Sequence, residues 1–312
     1  MNSGPSVDSA HPPLVAVGLA VYNNERYVAQ SIEALLNQTF RDFVLIISDN
    51  ASTDQTGEIC QRYAKKDQRI RYSRNAVNIG MNGNFNRVFG LSRSKYFKWA
   101  TGDDLSGPEM LADAVAVLEA DPTIALCYPR TVTIDGEGKE QGKYDDNLHL
   151  MQDDPAVRFL AVIENTGLVN HHLGLLRSEA IHRTQLFGKY VGADTGFIAE
   201  MSLYGKFFQV QKQQFYRRFH TESSSWNRGD QEQEARRFHA ANVRRVPFGT
   251  WLSHQRFWAA VLRSPLSLRQ KATVCARLSK RVYWASGGLF DDLRRDLPPL
   301  LGFGRPKSAP PK

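Results

Sequence analysis

Residues 43–54, FVLIISDNASTD, decide the fold class because an apolar, β-rich run ends there on a carboxylate, Asp49. Two further stretches share this form, since YNNE at 22–25 and GDD at 102–104 each follow an apolar run. In an α/β sheet the carboxyl ends of parallel strands form the crevice where nucleotides bind. Carboxylates at that edge suit a divalent cation that bridges them to a pyrophosphate. The sequence therefore predicts a metal-bound, nucleotide-activated substrate.

Strand-like and helix-like segments alternate through the first half of the chain. A helix predicted over 25–38 carries an apolar face, and Pro108 can begin another helix that runs to about Glu119. Strands are predicted at 14–21, 43–48, 70–73, 96–101, 124–128, 131–134, 173–176 and 207–211. Further helices are predicted at 84–91, 154–163 and 195–203. This alternation predicts an α/β fold with a mixed, mainly parallel sheet and flanking helices. Gly-x-Gly-x-x-Gly and Walker A motifs are absent from the sequence, which counts against an NAD-type or P-loop enzyme.

Length and composition bound the class of protein. The chain has 312 residues, with 42% hydrophobic and 23% charged, which is ordinary for a globular protein with a large core. Its three cysteines, Cys60, Cys127 and Cys275, lack C-x-x-C spacing, which argues against a zinc site or disulfide framework and favours a reducing compartment. The polar N-terminus lacks the features of a signal peptide, and no run approaches 18 apolar residues. We expect a cytoplasmic protein.

The formal net charge of +8 is unevenly distributed. Residues 236–312 contain 16 of the 40 Lys and Arg but 3 of the 32 Asp and Glu, so they carry +13 and residues 1–235 carry −5. Aromatic residues such as Trp251 and Trp284 lie among these basic residues. Such a mixture on amphipathic helices fits either a membrane-surface anchor or a helical cap that packs its aromatics on the rest of the chain. We favour a membrane surface over nucleic acid as partner, with peripheral attachment to the inner face of the membrane.

The motifs of the first half resemble those of the family-2 glycosyltransferases of the GT-A fold. That family has a Tyr-Asn-x-Glu turn after its first strand and a second strand that ends in an Asp, as in SDNASTD at 48–54. It also has an Asn-x-Gly segment, here at 78–80, and then an acidic pair, here at 103–104. All four occur in order within residues 14–104. The resemblance implies a GT-A domain, inverting sugar transfer from a nucleotide donor, and Mn²⁺ or Mg²⁺ as cofactor.

The resemblance also implies a donor site at the ends of these strands. It implies that Asp49 contacts the nucleobase and that Tyr22 and Asn23 line the base and ribose. Asn78, from the Asn-x-Gly segment, is assigned to the same donor site. Glu25 is either a further donor contact or an acid in the first turn of the following helix, where the helix dipole favours negative charge.

The acidic pair is the candidate metal site. Adjacent Asp103 and Asp104 can send one carboxylate to a metal and leave the other for a ribose or a metal-bound water, so Asp103 is predicted to contact the donor. By resemblance Asp104 matches the metal-binding last Asp of the family motif, although Gly102 supplies no first carboxylate. A neutral His220 could complete the metal shell opposite Asp104, and Arg217 or Arg218 could offset phosphate charge. A structural role is the alternative for His220.

The second half of the chain carries the candidate general base. In the family an acidic residue before a helix takes the proton of the acceptor hydroxyl, and Asp194 falls on that position. Ala193 replaces the Glu that usually precedes it, and Asp194 could instead be an N-cap. Glu200 is predicted to be structural. The pair His171 and His172 is placed on a strand, where neighbours point to opposite faces, so acceptor-side lining or a structural role is preferred to a metal site.

These patterns predict four segments. They are a disordered N-terminus at 1–13, a GT-A domain at 14–230, a basic helical extension at 231–297 and a disordered tail at 298–312. Within the domain we expect a nucleotide-binding half at 14–107 and an acceptor half at 108–230.

The resulting prediction is an inverting, metal-dependent glycosyltransferase. It moves a sugar, from a UDP-linked donor in preference to a GDP- or dTDP-linked one, to a cell-envelope or surface-glycan acceptor or a lipid-linked acceptor. One rival is a sugar-phosphate nucleotidyltransferase, which would need a Gly-rich, Lys- or Arg-bearing loop where residues 22–25 are YNNE. The other is a catalytically inactive GT-A domain that serves as a binding module, and Ala193 is the feature that favours it.

Overall fold

The structure, a computed structural model, describes residues 12–190, 192–221 and 247–300. Within these ranges the strands are β1 Val15–Val21, β2 Phe43–Asp49, β3 Ile70–Arg74, β4 Tyr96–Thr101, β5 Leu105–Ser106, β6 Ile124–Ile134, β7 Glu140–Tyr144, β8 Leu175–Arg177 and β9 Lys206–Arg218. The α-helices are α1 Val28–Leu36, α2 Thr56–Lys66, α3 Met81–Gly90, α4 Met110–Ala120, α5 Pro155–Asn165, α6 Ser178–His182, α7 Ala193–Ser202, α8 Gly249–Arg263, α9 Leu268–Trp284 and α10 Ser286–Leu300. A 3-10 turn, η1, spans Asn170–Leu173.

One sheet joins the described strands in the order β3-β2-β1-β4-β8-β6-β9-β5, and β7 pairs with β6. Strands β3, β2, β1 and β4 are parallel to one another, and β9 is parallel to β6. Strand β8 is antiparallel to both β4 and β6, and β5 is antiparallel to β9. The predicted α/β class with a mixed, mainly parallel sheet is therefore confirmed.

Strand β1 is apolar throughout because both faces of the sheet are covered, as a central parallel strand requires. Val15 and Val17 pack with α1, α2 and α4 on one face, whereas Ala16 packs with α3 and α5 on the other. At Gly18 a Cβ would overlap the ring of Phe97 and lie 2.9 Å from a methyl carbon of α3. Glycine at this position therefore allows α3 to approach the sheet closely.

Strands β6 and β9 depart most from the sequence prediction. The two strands predicted at 124–128 and 131–134 are one strand, because the chain continues through Pro129. Proline has no N–H to donate to a neighbouring strand. The pairing of β6 with β9 nevertheless continues past Pro129, with a shift in register on each side of Arg130. Strand β9 is also much longer than predicted, which carries Arg217 and Arg218 onto the sheet.

The placement of His171 and His172 on a strand was wrong. Both residues lie on the η1 turn and are buried, and β8 begins only at Leu175. The turn is entered through Val169, whose φ of 60° is uncommon for a β-branched residue. An apolar run such as 173–176 does not reveal this local conformation.

The C-terminal helices pack on the second half of the sheet domain. Helix α8 contacts α7, and α9 contacts α8 and α5. Phe257 and Val261 of α8, with Val274 and Leu278 of α9, are buried in the same core cluster as the sheet residues. Helix α10 continues to Leu300, so the disordered tail predicted from residue 298 begins too early.

Several predictions fall outside the described residues. These are the predicted disorder at 1–11 and 301–312, the domain boundary at 230 and the helical segment predicted from 231 to 246. None of the helices in the described parts combines the length and the apolar composition that crossing a bilayer requires.

Candidate active site

The acidic turn 102–104 lies between β4 and β5, and the end of β9 fixes its position. Oδ1 of Asp104 accepts a hydrogen bond from Arg218 N at 2.8 Å, and its Oδ2 accepts one from Thr101 Oγ1 at 2.8 Å. The buried Arg218 side chain donates from Nε to the carbonyl oxygen of Asp103 at 2.9 Å. Arg218 therefore holds the turn through the carbonyl oxygen of Asp103 and the carboxylate of Asp104, and it does not bond to the carboxylate of Asp103.

The turn concentrates negative charge in a partly buried place. Burial, followed by the neighbouring charge of Asp103, raises the pKa of Asp104 to about 6, and the Arg217 guanidinium and two hydrogen bonds oppose that shift. A cation also lies nearby, since Lys98 is buried on β4. Burial lowers the pKa of Lys98 to about 7, and the charge of Asp104 opposes that shift. Additional positive charge at the turn would thus stabilise the ionised acid pair.

The structure places His220 next to Asp103. His220 Nε2 lies 3.2 Å from Asp103 Oδ2, and its ring centroid lies 4.8 Å from that of Tyr27. The prediction associated His220 with Asp104, which follows Asp103 directly in the same turn. His220 and Asp103 are 117 positions apart in the sequence.

Asp103, Asp104 and His220 fit a divalent cation by their chemistry. Carboxylate oxygen and imidazole nitrogen are ligands of Mn²⁺, and Mg²⁺ is usually bound by one or two carboxylates together with substrate phosphates and water. The 3.2 Å between His220 Nε2 and Asp103 Oδ2 is close to the roughly 3 Å between adjacent ligands of an octahedral ion with bonds of about 2.1 Å. Among the described residues no three or more His, Cys, Asp or Glu side chains are grouped so that they could hold a metal ion by themselves. Phosphate and water would supply the other ligands.

Arg217 connects the acidic turn with the η1 turn. Its Nη1 donates to Leu168 O at 2.7 Å and also to Asn170 Oδ1. Burial raises the pKa of Asp104 and lowers that of His172; the charge of Arg217 opposes the first shift and adds to the second. Arg217 therefore lies within electrostatic range of both side chains. The predicted contact with donor phosphate stays a prediction.

The turn after β1 and the loop after β2 are held together by hydrogen bonds. Asn23 Oδ1 accepts from Thr53 N at 2.8 Å, and Glu25 Oε2 accepts from Gln55 N at 2.9 Å. Helix α1 begins only at residue 28, so Glu25 is not an acid of its first turn. Tyr22 is 43% exposed and projects from the same turn. The contacts of Tyr22, Asn23 and Glu25 with the donor stay predictions.

Asp49 has no exposed surface. Its Oδ1 accepts from Ser52 N at 2.8 Å, and its Oδ2 accepts from Tyr72 Oη and Arg74 Nη1, both at 2.7 Å. The Arg74 side chain is 45% exposed, whereas that of Asp49 is fully buried. Because Asp49 is fully buried and both of its carboxylate oxygens are bonded, a nucleobase could meet it directly only after some of these partners moved. The predicted base contact stays a prediction.

Asn78 belongs to a network of side-chain amides that the sequence reasoning missed. Asn50 Nδ2 donates to Asn78 Oδ1 at 2.8 Å, and Asn75 Nδ2 donates to Asn50 Oδ1 at 2.8 Å and to Asn84 Oδ1 at 3.2 Å. The network fastens the loop after β3 to the end of β2. Its signal was present in the sequence, because residues 75–86 contain five asparagines. A direct donor contact by Asn78 stays a prediction.

Asp194 lies in the first turn of α7. The N-cap position is Gly192, whose φ of 81° is left-handed, so the alternative that Asp194 is the N-cap was wrong. Its Oδ1 accepts from Thr195 N at 2.8 Å. Ala193, at the position of the usual Glu, is buried in the core.

His172 lies within electrostatic range of Asp194. Its Nδ1 bonds to Val169 O, and because a carbonyl can only accept, Nδ1 carries the proton and Nε2 the lone pair. Burial lowers the pKa of His172 to about 4, although the Asp194 carboxylate opposes the shift, so the ring is neutral at pH 7. Nε2 makes no hydrogen bond to any described residue. Buried His171, by contrast, lies 3.4 Å from Asp146 Oδ1 and belongs to the interior.

Glu200 anchors α7 to the C-terminal helices. Its Oε1 lies 2.7 Å from Arg263 Nη2 on α8, and its Oε2 accepts from Gln185 N at 3.0 Å. The Glu200 side chain is buried. The predicted structural role of Glu200 is confirmed, and α8 becomes part of the support of the helix that carries Asp194.

The family model described as glycosyl transferase family 2 matches residues 16–182, more than half of the chain. The chain belongs to this family. The match confirms the predicted family, which is a family of glycosyltransferases. An uncharacterized glycosyltransferase of Methanocaldococcus jannaschii, MJ1057, is 34% identical over 128 residues, which are 40% of this chain. The chain spans 44%, 40% and 35% of the lengths of three curated relatives that it matches.

Two solved structures show the same fold. TarS 1–349 of S. aureus in complex with UDP-GlcNAc has a TM-score of 0.63 and 18% identity, covering 86% of this chain and 72% of that one. The mannosyltransferase PcManGT from Pyrobaculum calidifontis, in complex with GDP-Man and Mn²⁺, has a TM-score of 0.54 and 14% identity, covering 95% and 77%. These likenesses confirm the predicted GT-A fold.

Proposed function

We propose that this chain is an inverting glycosyltransferase that moves a sugar from a nucleotide donor, UDP-linked by preference, to a hydroxyl group of a cell-envelope, surface-glycan or lipid-linked acceptor. The observation that carries the proposal is the contact of His220 with Asp103, the neighbour of Asp104, in the turn after β4 of a chain of this family. The complex of TarS with UDP-GlcNAc supports the donor class, and the complex of PcManGT with Mn²⁺ supports the metal.

On the donor side, the base and ribose would lie against the exposed ring of Tyr22 and the Asn23 turn, and the diphosphate would approach the acidic turn. The like charges of Asp103 and Asp104 would otherwise repel that diphosphate. When bound by these carboxylates and His220, Mn²⁺ or Mg²⁺ supplies positive charge that stabilises the leaving group. Arg217 adds a fixed positive charge beside the turn.

On the acceptor side, Asp194 acts as general base. As the acceptor oxygen attacks the anomeric carbon of the donor sugar, Asp194 removes the proton of that hydroxyl group. The new carbon–oxygen bond forms while the bond from the anomeric carbon to the diphosphate breaks, and the nucleoside diphosphate leaves with the electron pair. The lone pair on neutral His172 Nε2 can accept a hydrogen bond from an acceptor hydroxyl group.

The remaining parts of the proposal concern organisation and location. We divide the chain into the catalytic domain at 14–230 and the helical extension at 231–297, with the extension supporting α7 through Arg263. We also propose a cytoplasmic location. All three cysteines are free thiols, two of them buried, as a reducing compartment allows.

A thermal-shift panel tests the donor and metal assignments. The full chain is melted with UDP, GDP, dTDP or CDP, each with and without MnCl₂, because a ligand that binds only the folded state raises the melting temperature. We expect the largest rise with UDP plus Mn²⁺. That rise should vanish in Asp104→Asn and persist in Glu179→Gln, a charge-matched change at an exposed site on α6. An unchanged rise in Asp104→Asn would remove the metal assignment.

Product analysis separates the proposal from its two rivals. Slow hydrolysis of a UDP-sugar to UDP and free sugar shows an active centre, because water replaces the acceptor. Release of pyrophosphate from a nucleoside triphosphate and a sugar phosphate would instead identify a nucleotidyltransferase. Nucleotide binding without turnover would favour the inactive binding module, the alternative that buried Ala193 supports.

A further inference from the structure

The outward face of α9 combines basic and aromatic side chains. The helix has five basic residues and no acidic residue among its 17 positions. With 100° between successive residues, five exposed basic or aromatic residues fall within one arc of about 120° that excludes the buried Val274 and Leu278. We call this set the α9 surface; it consists of Arg269, Arg277, Lys280, Tyr283 and Trp284.

The side chains of the α9 surface are available to a partner. Tyr283 is 72% and Trp284 74% exposed, and their ring centroids are 5.8 Å apart. The three basic side chains of the surface make no hydrogen bond or ion pair with any described residue. The other two basic residues of α9 differ, because Lys271 donates to Leu262 O and Arg281 donates to Ile163 O.

The structure assigns different roles to the aromatic residues of the extension. Phe257 is buried, Trp258 packs against the core cluster, and Trp251 Nε1 donates to Leu289 O at 3.1 Å. These three act as the helical cap that was one interpretation of the sequence. Tyr283 and Trp284 are left for the other interpretation, a surface anchor.

We propose that the α9 surface binds the anionic headgroups of a membrane. Tyr and Trp favour the membrane–water interface, where the ring is apolar on one side and hydrogen-bonded on the other. Lys and Arg are attracted to an anionic leaflet, each strengthening binding about fivefold. A second copy of the chain is a poorer partner, because a symmetric contact would place Arg277 and Lys280 against like charges.

This inference goes beyond the proposed function and does not depend on it. Binding by the α9 surface can be measured whether or not the chain transfers sugar. If both hold, the surface brings the enzyme to the plane where a lipid-linked acceptor presents its reacting hydroxyl group.

Vesicle co-sedimentation of the full chain tests the inference. Vesicles of phosphatidylcholine with 25% phosphatidylglycerol are compared with vesicles of phosphatidylcholine alone, at low salt and in 0.5 M NaCl. We expect binding to the anionic vesicles that high salt weakens, because salt screens exposed charges. The double change Arg277→Gln/Lys280→Gln should weaken that binding about 25-fold, from two factors of about five.

Two controls make the test specific to α9. The double change Lys65→Gln/Lys66→Gln lowers the net charge by the same amount on exposed positions of α2 and should leave binding within about twofold of wild type. The double change Tyr283→Ser/Trp284→Ser should weaken binding by at least about tenfold, because it removes the apolar part of the contact. Melting temperatures of all variants show that the fold is kept.

Several results would overturn the inference. One is wild-type vesicle binding by both α9 variants. Another is an equal loss of vesicle binding in the α2 and α9 charge variants, which would show that binding depends on the net charge of the chain and not on the α9 surface. A third is tight binding to single-stranded RNA without binding to anionic vesicles. A fourth is a dimer that Tyr283→Ser/Trp284→Ser dissociates while vesicles are ignored, which would assign the surface to a second copy.

Discussion

Replacing Lys98 by methionine should remove a pH dependence from the stability of this protein. The Lys98 side chain is 1% exposed, and its Nζ donates to Leu173 O at 2.7 Å and Trp99 O at 3.1 Å. The ring of Phe215 lies 5.9 Å away, and Asp104 is the charge that acts on it. Burial lowers the pKa of Lys98 from 10.5 to about 7. Between these two values the unfolded chain binds more protons than the folded chain, so stability rises with pH.

The size of the effect follows from these pKa values. One extra proton on the unfolded chain changes the free energy of unfolding by about 1.4 kcal/mol for each pH unit. Between pH 7 and 9 the unfolded Lys98 stays protonated, while the folded one goes from about half protonated to almost none. The wild-type chain should therefore gain about 2 kcal/mol relative to Lys98→Met over this interval. The gain is lost again as the pH falls through 7.

Urea unfolding at pH 7, 8 and 9 measures this difference. Comparing wild type with Lys98→Met cancels the contributions of all other titrating groups that the substitution leaves unchanged. Lys66→Met serves as control, because Lys66 is exposed on α2 and its charge stays in water in both states. Parallel stability curves for wild type and Lys98→Met would refute the reasoning, since Lys98 would then keep its proton in the folded chain.

Three further changes test the site and its support. Asp194→Asn should bind UDP and Mn²⁺ as wild type does yet transfer sugar at least ~100-fold more slowly, and a normal rate in a steady-state assay would leave the base unassigned. Glu200→Ala should lower the free energy of unfolding in urea by about 2–4 kcal/mol, because Arg263 and the N–H of Gln185 would both lose a buried partner. An unchanged midpoint of urea unfolding would contradict this. His220→Ala should weaken Mn²⁺-dependent UDP binding less than Asp104→Asn does, since water can replace one ligand. The reverse order in calorimetry would make His220 a more important metal ligand than Asp104.

The sequence predicted β1, β2 and β4 to within one residue because burial on both faces requires a continuous apolar run. Strand β9 was not predictable in the same way, since Gln211-Lys212-Gln213-Gln214 is polar. Its place in a strand depends on pairing with distant residues, such as that of Gln213 with Arg130 of β6. The η1 turn was missed for a related reason. It depends on Val169 in a left-handed conformation and on Lys98, a distant residue that binds the carbonyl oxygen of Leu173.

The candidate site shows the same division. Motifs located Asp49, Asp103 and Asp104 at strand ends, because acidic residues directly after apolar runs are a local signal. The partners of these residues come from distant parts of the chain and have no local signal. Thus Arg74 covers Asp49, and His220 meets Asp103 across 117 positions. Whether an acidic side chain can contact the ligand or only supports the site depends on how far these partners cover it.

The hydrogen bond between Asp104 and the backbone of Arg218 spans 114 positions and has a consequence for biosynthesis. The parallel strands β1 to β4 leave the ribosome before β9 does, so they can pair first. The acidic turn is fixed only after β9 has emerged and paired with β5, where Leu105 lies opposite Tyr216. A nascent chain would therefore pair β1 to β4 before Asp104 is bonded to Arg218, and the proposed metal site would be aligned only once β9 is in place.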